Sequence, residues 1–582
     1  MRGPTRGATR GNVQTYPTWP NLAAMMFSRA REWPDKPMLR AHRGGGWHRI
    51  TWTEFARQAA SVARHLRAVG VAAGDRVVIV AESRPEYPIA ETALMAIRAV
   101  PVPAYVTNTT DDHAHILRDS GARAAIVSSA QLAGRLREAG ARAGGLDLLV
   151  VMDGAPEASG GAPRLIPWSE LIADGSPADD IEAEAASIPP TALACLIYTS
   201  GTGGAPKGVM LSHRAILSNC RGAFELVRPL RLKDEVYLSY LPISHSYEHT
   251  VGQIFLPSIG TEIVYARGVE HLAADMLTVR PTILTAVPRV LEVIRARVLG
   301  QVAREKPWRK ALFNRALAIG LKRVDRQTLS FIDDLLDWPL DRLVRAKVRA
   351  RFGGRLVAAM SGGARLDPEV GRFYLALGIR IMQGYGQTEA GPVVSANPPH
   401  AIRIETVGPP LEGVEVRIAE DGEILVRGDL LMHGYWGRPA DTQVVIRDDW
   451  LHTGDIGVQD ADGYLRITDR KKDMIVLSGG ENVSPARIET MLMAEPEIAQ
   501  AVIAGEGRTG LSALLVPADG YDSIMVALAV SRVNMRLSVT ERIRKHALVD
   551  PFTLENGLLT PTQKIRRLLV LRAHADVVAG LH

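Results

Sequence analysis

Up to about residue 400, short apolar runs alternate with helix-spaced segments, and this alternation limits the possible folds more than any other feature. Residues 51–69 carry apolar side chains at helical spacing. The turn Gly74-Asp75 then leads into Arg76-Val-Val-Ile-Val-Ala81, which reads as a strand. A helix-like stretch and an apolar run over 100–106 follow, and 116–120 with 122–127 repeat helix then strand. Residues 355–360 are another strand, followed by Ser361-Gly-Gly363, a helix over 367–377 and a strand over 380–382. Such alternation predicts parallel β-sheet with helices packed outside it. After about residue 407 the texture changes. Short strands are divided by Asp421-Gly422, Arg427-Gly428 and Asp462-Gly463, which predicts hairpin-rich β structure. Asp469-Arg-Lys-Lys-Asp473 ends that part, and the remainder is long enough for one small mixed α/β domain. At 582 residues the chain is too long for a single core.

Chemistry concentrates first in Tyr198-Thr-Ser-Gly-Thr-Gly-Gly-Ala-Pro-Lys-Gly-Val209, which follows the buried-strand pattern Leu193-Ala-Cys-Leu-Ile197. Thr199, Ser200 and Thr202 supply hydroxyls. Gly201, Gly203 and Gly204 let the backbone approach a ligand, and Lys207 adds a mobile positive charge. This combination suits the phosphates of a nucleoside triphosphate. The stretch is not a Walker A loop, because Lys207 is followed by Gly208 and by the apolar residues Val209, Met210 and Leu211. Strand, loop, strand is the expected local structure. A plain connecting loop is the alternative for any Gly/Ser/Thr-rich stretch taken alone.

The full run is more specific. It resembles the phosphate loop of the adenylate-forming enzymes, the superfamily of acyl-CoA synthetases, peptide-synthetase adenylation domains and luciferase. One departure is Gly203, where that family usually carries Ser or Thr, so one phosphate-contacting hydroxyl is missing. Further stretches extend the resemblance over about residues 33–567. Gln383-Gly-Tyr-Gly-Gln-Thr-Glu389 is similar to the second signature loop of the family. The resemblance implies nucleotide contacts from Gly384, Tyr385 and Gly386, with Tyr385 near adenine and Thr388 near the α-phosphate. A carboxylate facing phosphates requires a hard cation between them, so Glu389, with Thr199, is expected to hold Mg²⁺. Asp455, in Leu451-His-Thr-Gly-Asp455, matches the family aspartate that accepts the ribose hydroxyls, and Arg470 matches the arginine that also reaches the ribose. Lys472 falls at the family hinge, and Lys564 matches the lysine that enters the site for the first half-reaction. A cation there offsets charge developing on the α-phosphorus. Gly480-Glu-Asn-Val-Ser-Pro-Ala-Arg-Ile-Glu489 resembles the segment lining the thiol pocket, and the stretch 506–510 is short against the family. His245, in Leu241-Pro-Ile-Ser-His245, is structural if taken alone. The motif around it implies that it borders the acyl carboxylate, with Gly362 and Gly363 as further substrate contacts.

Three stretches point within the superfamily to long-chain fatty acyl-CoA synthetases. They are Tyr105-Val-Thr-Asn-Thr-Thr110 with His115-Ile-Leu-Arg-Asp-Ser-Gly121, Arg280-Pro-Thr-Ile-Leu-Thr-Ala-Val-Pro-Arg289, and a basic helical insertion over 301–355. The expected protein is α/β. A large N-terminal domain (21–469) of helix-flanked sheets with a β-rich subdomain is followed by a small mobile α+β domain (470–582), and residues 1–20 form a flexible tail. The expected activity is ATP-dependent fatty acid:CoA ligation on medium-to-long chains, with ATP, Mg²⁺ and CoA. Two alternatives remain: a fatty acyl-AMP ligase serving a carrier protein, and an inactive lipid-binding homologue.

Composition sets the remaining bounds. Apolar residues at 46% and charged residues at 23% are those of an ordinary globular chain. Cys195 and Cys220 make no disulfide framework or metal spacing, which fits a reducing cytoplasm. The N-terminal stretch with Arg2, Arg6 and Arg10 lacks the apolar core of a secretory signal, and no run reaches the ~18 apolar residues of a membrane helix. The net charge of +6 is concentrated. Residues 301–355 hold fourteen Lys/Arg against six Asp/Glu, a local net of +8. A solvated helical face is one reading; peripheral contact with an anionic membrane is the other. No nucleic-acid-binding motif accompanies this charge. Chain-length optimum and oligomeric state leave no signature in the sequence.

Overall fold

The alternation forms two largely parallel sheets packed through a shared layer of helices. A computed structural model describes residues 15–154, 162–199, 205–471, 473–479, 481–560 and 564–581. The first sheet runs Val100–Ala104, Arg76–Val80, Ala124–Val127, Leu148–Val151, Arg164–Pro167, all parallel. The second has eight strands in the order Val393–Ala396, Ile381–Gly386, Ala358–Ser361, Ile283–Ala286, Val236–Ser239, Glu262–Tyr265, Pro37–Arg43, Gly46–Thr51. Its interior is parallel and both end pairs are antiparallel.

Period-two alternation explains how both faces of each sheet become core. Val77 and Ile79 join the helix layer between the sheets, while Val78 and Val80 point to the opposite face. In the second sheet Tyr237 faces the shared layer and Val236 and Leu238 face away. The helix Glu86–Ala96 lies in that layer and is buried along its whole length, so it shows no amphipathic stripe. The helix read over 51–69 is Trp52–Ala68, opened by a Thr51/Glu54 capping box. Residues 110–115, beyond the segment read as helical, also belong to a helix, Thr110–Ser120, capped by Thr109. Within the stretch expected to be a tail, Tyr16 packs against Trp19 and Phe224 and hydrogen-bonds Ser258.

The hairpin-rich part is a five-stranded antiparallel sheet built on the long strand Trp450–Gln459, which pairs with Leu465–Arg470. Beyond it, Ile498–Ala504, Leu511–Pro517 and Ile543–Leu548 form a small sheet with its own apolar core against the helices Pro485–Met493 and Ser523–Asn534. The architecture is thus a large N-terminal α/β domain followed by a smaller C-terminal α+β domain. Residues 506–510 form the tight connection of a hairpin, with the Gly507 N–H on the Val476 carbonyl.

Candidate active site

One cleft of about 2980 Å³ runs between the carboxyl ends of the second sheet, the β-rich part and the C-terminal segment. Its position matches the general rule that α/β sheets bind ligands beyond their strand ends. The hairpin Leu193–Thr199 and Lys207–Ser212 forms as expected, with Thr199 opposite Lys207. Ser200, Gly201, Thr202, Gly203 and Gly204 lie outside the described residues, as do Lys472 and Gly480.

The roots of that loop are held from the side. His115, on the helix Thr110–Ser120, donates from Nε2 to the Pro206 carbonyl at 2.8 Å. Asp119, one turn on, accepts from the Tyr198 hydroxyl at 2.8 Å and from Arg438 at 2.9 Å. A third strand, Gly434–Tyr435, pairs with the Lys207 strand and carries Tyr435 and the following helix Pro439–Val445 to the lysine. Lys207 Nζ lies 2.8 Å from Asp441 and 5.0 Å from the Tyr435 ring centre. The Tyr435 hydroxyl donates to Glu389 at 3.0 Å. Lys207 and Glu389 are therefore linked through one aromatic side chain. Sequence spacing gave no hint of Tyr435, Asp441 or Asp119, because each comes from a distant element.

The second signature segment is less of a loop than expected. Gly384, Tyr385 and Gly386 continue the strand Ile381–Gly386 and pair with Val393–Ala396. A Cβ on Gly386 would sit 1.9 Å from the Pro392 carbonyl oxygen, so only glycine fits this approach. Thr388 and Glu389 follow in a single 3₁₀ turn, and Thr388 Oγ1 is 2.8 Å from Ser246 Oγ. Burial in the cleft wall raises the Glu389 pKa above the usual carboxylate range, only partly offset by hydrogen bonds. Among the described residues no three His, Cys, Asp or Glu side chains group as a protein-only metal cage. Glu389 and Thr199 both line the cleft, and their oxygen donors are of the hard type that suits Mg²⁺.

Asp455 is buried, with one oxygen on the Tyr385 hydroxyl at 2.7 Å and the other on Arg470 Nε at 2.9 Å. Pairing of the two antiparallel strands sets Asp455 directly opposite Arg470. Next to the expected hinge, Lys471 is tied to Glu423 at 2.9 Å and to Asp421 at 2.5 Å, and these bonds hold its pKa above normal. Lys564 is tied to Thr560 twice, its own N–H on Thr560 Oγ1 at 3.0 Å and its carbonyl accepting from the Thr560 N–H at 2.8 Å. It is open to water yet enclosed by the cleft walls. Desolvation, then repulsion from Arg470, lowers its pKa, and attraction to Asp455 opposes them. Lys564 lines the cleft together with Lys207 and Arg470.

His245 lines the same cleft. Its Nδ1 accepts from the Tyr247 N–H at 3.2 Å, which puts the proton on Nε2. Desolvation, with repulsion from Lys564, pushes its pKa down to about 4, so it is a neutral hydrogen-bonding group. Gly362 packs on the Tyr247 ring, where a Cβ would sit 3.2 Å from the ring carbon, and Gly363 has φ +79°. Apolar side chains including Leu226, Val227, Val251, Phe255 and Leu256 form another wall of the cleft. Ala486, Glu489 and Thr490 also line it, although Glu489 is tied to Arg567 at 2.5 Å and to the Ile503 N–H at 2.7 Å.

Residues 26–436 match the model of the AMP-binding enzyme family, and 472–581 match that of the AMP-binding enzyme C-terminal domain. A long-chain-fatty-acid–CoA ligase, FadD15 of Mycobacterium bovis, is 33% identical, over 97% of each chain. A chloroplastic long-chain-fatty-acid–[acyl-carrier-protein] ligase of Arabidopsis thaliana, AEE15, is 27% identical, over 92% of this chain and 83% of its own. Among solved structures, an anthranilate CoA ligase, AuaEII, in complex with anthranoyl-AMP aligns with a TM-score of 0.74 at 21% identity, over 97% of this chain and 99% of its own.

Proposed function

The chain belongs to the AMP-binding enzyme family, and from that membership we propose that it is an ATP-dependent fatty acid:CoA ligase acting on medium-to-long-chain acids. The observation that carries this is that Lys207, Glu389, Asp455, Arg470 and Lys564 all line one cleft that is also lined by many apolar side chains. A polar nucleotide end and an apolar acyl wall in contact are what joining a fatty carboxylate to AMP requires.

In the first step a carboxylate oxygen attacks the α-phosphorus of ATP. The bond to the pyrophosphate oxygen breaks as the new phosphorus–oxygen bond forms, giving acyl-AMP. Asp455, held by Arg470, accepts the ribose hydroxyls, while Tyr385 lies beside adenine. Lys207 grips the β- and γ-phosphates. Thr388, hydrogen-bonded with Ser246, contacts the α-phosphate, and Lys564 offsets charge in the transition state. Mg²⁺ held by Glu389 and Thr199 would neutralise charge on the leaving pyrophosphate. Neutral His245 offers Nε2–H to the carboxylate without competing as a charge. In the second step the small domain turns about Lys472, withdrawing Lys564 and bringing residues 480–489 toward the thiol. The CoA thiolate adds to the acyl carbonyl and AMP leaves. AMP is a good leaving group from a mixed anhydride, so no covalent enzyme intermediate is needed.

The relative named as an acyl-carrier-protein ligase supports one further reading, with a phosphopantetheine arm in place of free CoA. A pyrophosphate-release assay across saturated acids from acetate to arachidate, with CoA or with loaded carrier protein, tests both. Acyl-CoA release with CoA alone supports the ligase. Turnover only with the carrier protein supports the alternative, and no pyrophosphate with any acid refutes both.

A further inference from the structure

The helix Phe331–Leu340, in the basic segment, is inside out. Phe331, Ile332, Leu335, Leu336 and Trp338 are exposed, Phe331 at 84%, whereas Asp333 and Asp337 are buried. The inward carboxylates are fully engaged with cations of neighbouring helices. Asp333 takes Arg315 and Lys322 at 2.5 and 2.8 Å, and Asp337 takes Arg323 and Arg345 at 2.9 and 2.8 Å. A helix at a water surface normally buries its apolar stripe and shows its charges. Here ion pairs fix the opposite orientation, so the outward face is adapted to something other than water. Leu343, just beyond the helix, and Trp308, on the preceding helix Pro307–Val324, add exposed apolar area at 56% and 57%. Exposed apolar side chains concentrated on one helix face mark docking sites.

We propose that this face inserts into an anionic lipid surface. With Asp333, Asp337 and their four partner cations set aside, the segment 301–355 still holds ten Lys/Arg against four Asp/Glu, so its remaining charge is basic. Cations accompany the apolar side chains: Lys306, Lys310 and Lys347 of the same segment are exposed, and guanidinium groups lie over the two tryptophans. Arg309 is 5.1 Å from the Trp308 ring and Arg342 is 5.0 Å from the Trp338 ring. Tryptophan with a basic rim suits the headgroup level of a bilayer, where the ring meets acyl chains and the cation meets phosphate. A second copy of the chain would bring this basic rim against itself, so charge disfavours self-association through the face. No helix among the described residues is long and apolar enough to cross a membrane, so the contact is one of lying on the surface. This inference does not depend on the ligase reading.

The test is co-sedimentation of the full chain with phosphatidylglycerol/phosphatidylcholine vesicles and with pure phosphatidylcholine vesicles, at low and high salt. The expected result is binding to the anionic vesicles at least tenfold tighter than to neutral ones, weakened by salt. Phe331→Ser, Leu335→Ser and Trp338→Ser combined leave every charge in place and should lower anionic-vesicle binding at least tenfold. Circular dichroism and an unchanged melting temperature would show the variant is folded. Equal binding by the triple variant overturns apolar insertion. Equal binding to neutral vesicles overturns the role of the rim. A wild-type dimer that the triple variant breaks, without vesicle binding by either protein, assigns the face to a second copy and overturns the proposal.

Discussion

Asp441→Asn should tighten ATP binding, a direction opposite to most changes in a nucleotide site. Lys207, proposed to hold the β- and γ-phosphates, is paired with Asp441 at 2.8 Å, so triphosphate must displace that carboxylate. The pair is well hydrated, with Lys207 33% and Asp441 40% exposed. Ion pairs of that exposure are worth about 0–1 kcal/mol. Removing the carboxylate charge therefore lowers the KM for ATP by at most about fivefold, since about 1.4 kcal/mol corresponds to tenfold. Stacking of Lys207 on Tyr435 remains and keeps the ammonium near its present place. The assay is initial-rate pyrophosphate release against ATP concentration, at low and high ionic strength, for the four proteins of a double-mutant cycle with Lys207→Ala. Asp441→Asn should act only where Lys207 is present, and its effect should shrink as salt rises. An unchanged or raised KM in the wild-type background would refute the reasoning, as would an equal drop in the Lys207→Ala background.

Three further outcomes are expected. Lys564→Ala should slow acyl-AMP formation by about 10²–10³-fold, the usual loss for one transition-state donor, yet leave thiolation of supplied acyl-AMP near wild type; equal loss in both half-reactions rejects its assigned role. Asp455→Asn keeps the shape but removes the charge held between Tyr385 and Arg470, so kcat/KM for ATP should fall roughly 10- to 100-fold, with a far smaller change for the fatty acid; an equal effect on both substrates contradicts a ribose role. Glu248 is buried and its pKa is raised to about 7 by desolvation, which hydrogen bonds from Tyr237, Ser239, Gln253 and Thr285 only partly oppose. A raised carboxyl pKa stabilises the fold fully below about pH 4.5, and this contribution is lost as pH rises through about 7. Relative to Glu248→Gln, the wild type should therefore lose up to about 3 kcal/mol between those limits, read as diverging denaturant midpoints; parallel pH profiles would show that Glu248 does not titrate there.

The proposed site residues could be named because they lie in short runs that resemble family signatures: Tyr198 to Val209, Gln383 to Glu389 and Leu451 to Asp455 each span a few consecutive positions, so a local reading suffices to find them. The strand 76–81 was legible locally as well, since an unbroken β-branched run fits a sheet buried on both faces. The loop expected after residue 382 was misread in part. Gly384–Gly386 continues the strand because a distant partner, Val393–Ala396, is there to pair with it, which composition does not reveal. The basic charge of 301–355 was legible in the sequence, but the outward turn of the apolar side chains of 331–340 was not, because ion pairs with other helices set it.

The sequence by itself determined the parallel α/β framework, the hairpin-rich part and the small final domain, because these follow from side-chain period and turn residues. The residues proposed for phosphate, ribose and the α-phosphorus were named by resemblance to a family, not by periodicity. Tertiary structure decided who faces whom: Asp441 on Lys207, Tyr435 on Glu389, Asp119 and His115 at the roots of the loop, and Asp333 and Asp337 turned inward beneath an apolar surface. Each of these contacts joins separate elements. The energy of an ion pair depends on the distance and burial that packing imposes, and neither quantity is encoded in residue spacing.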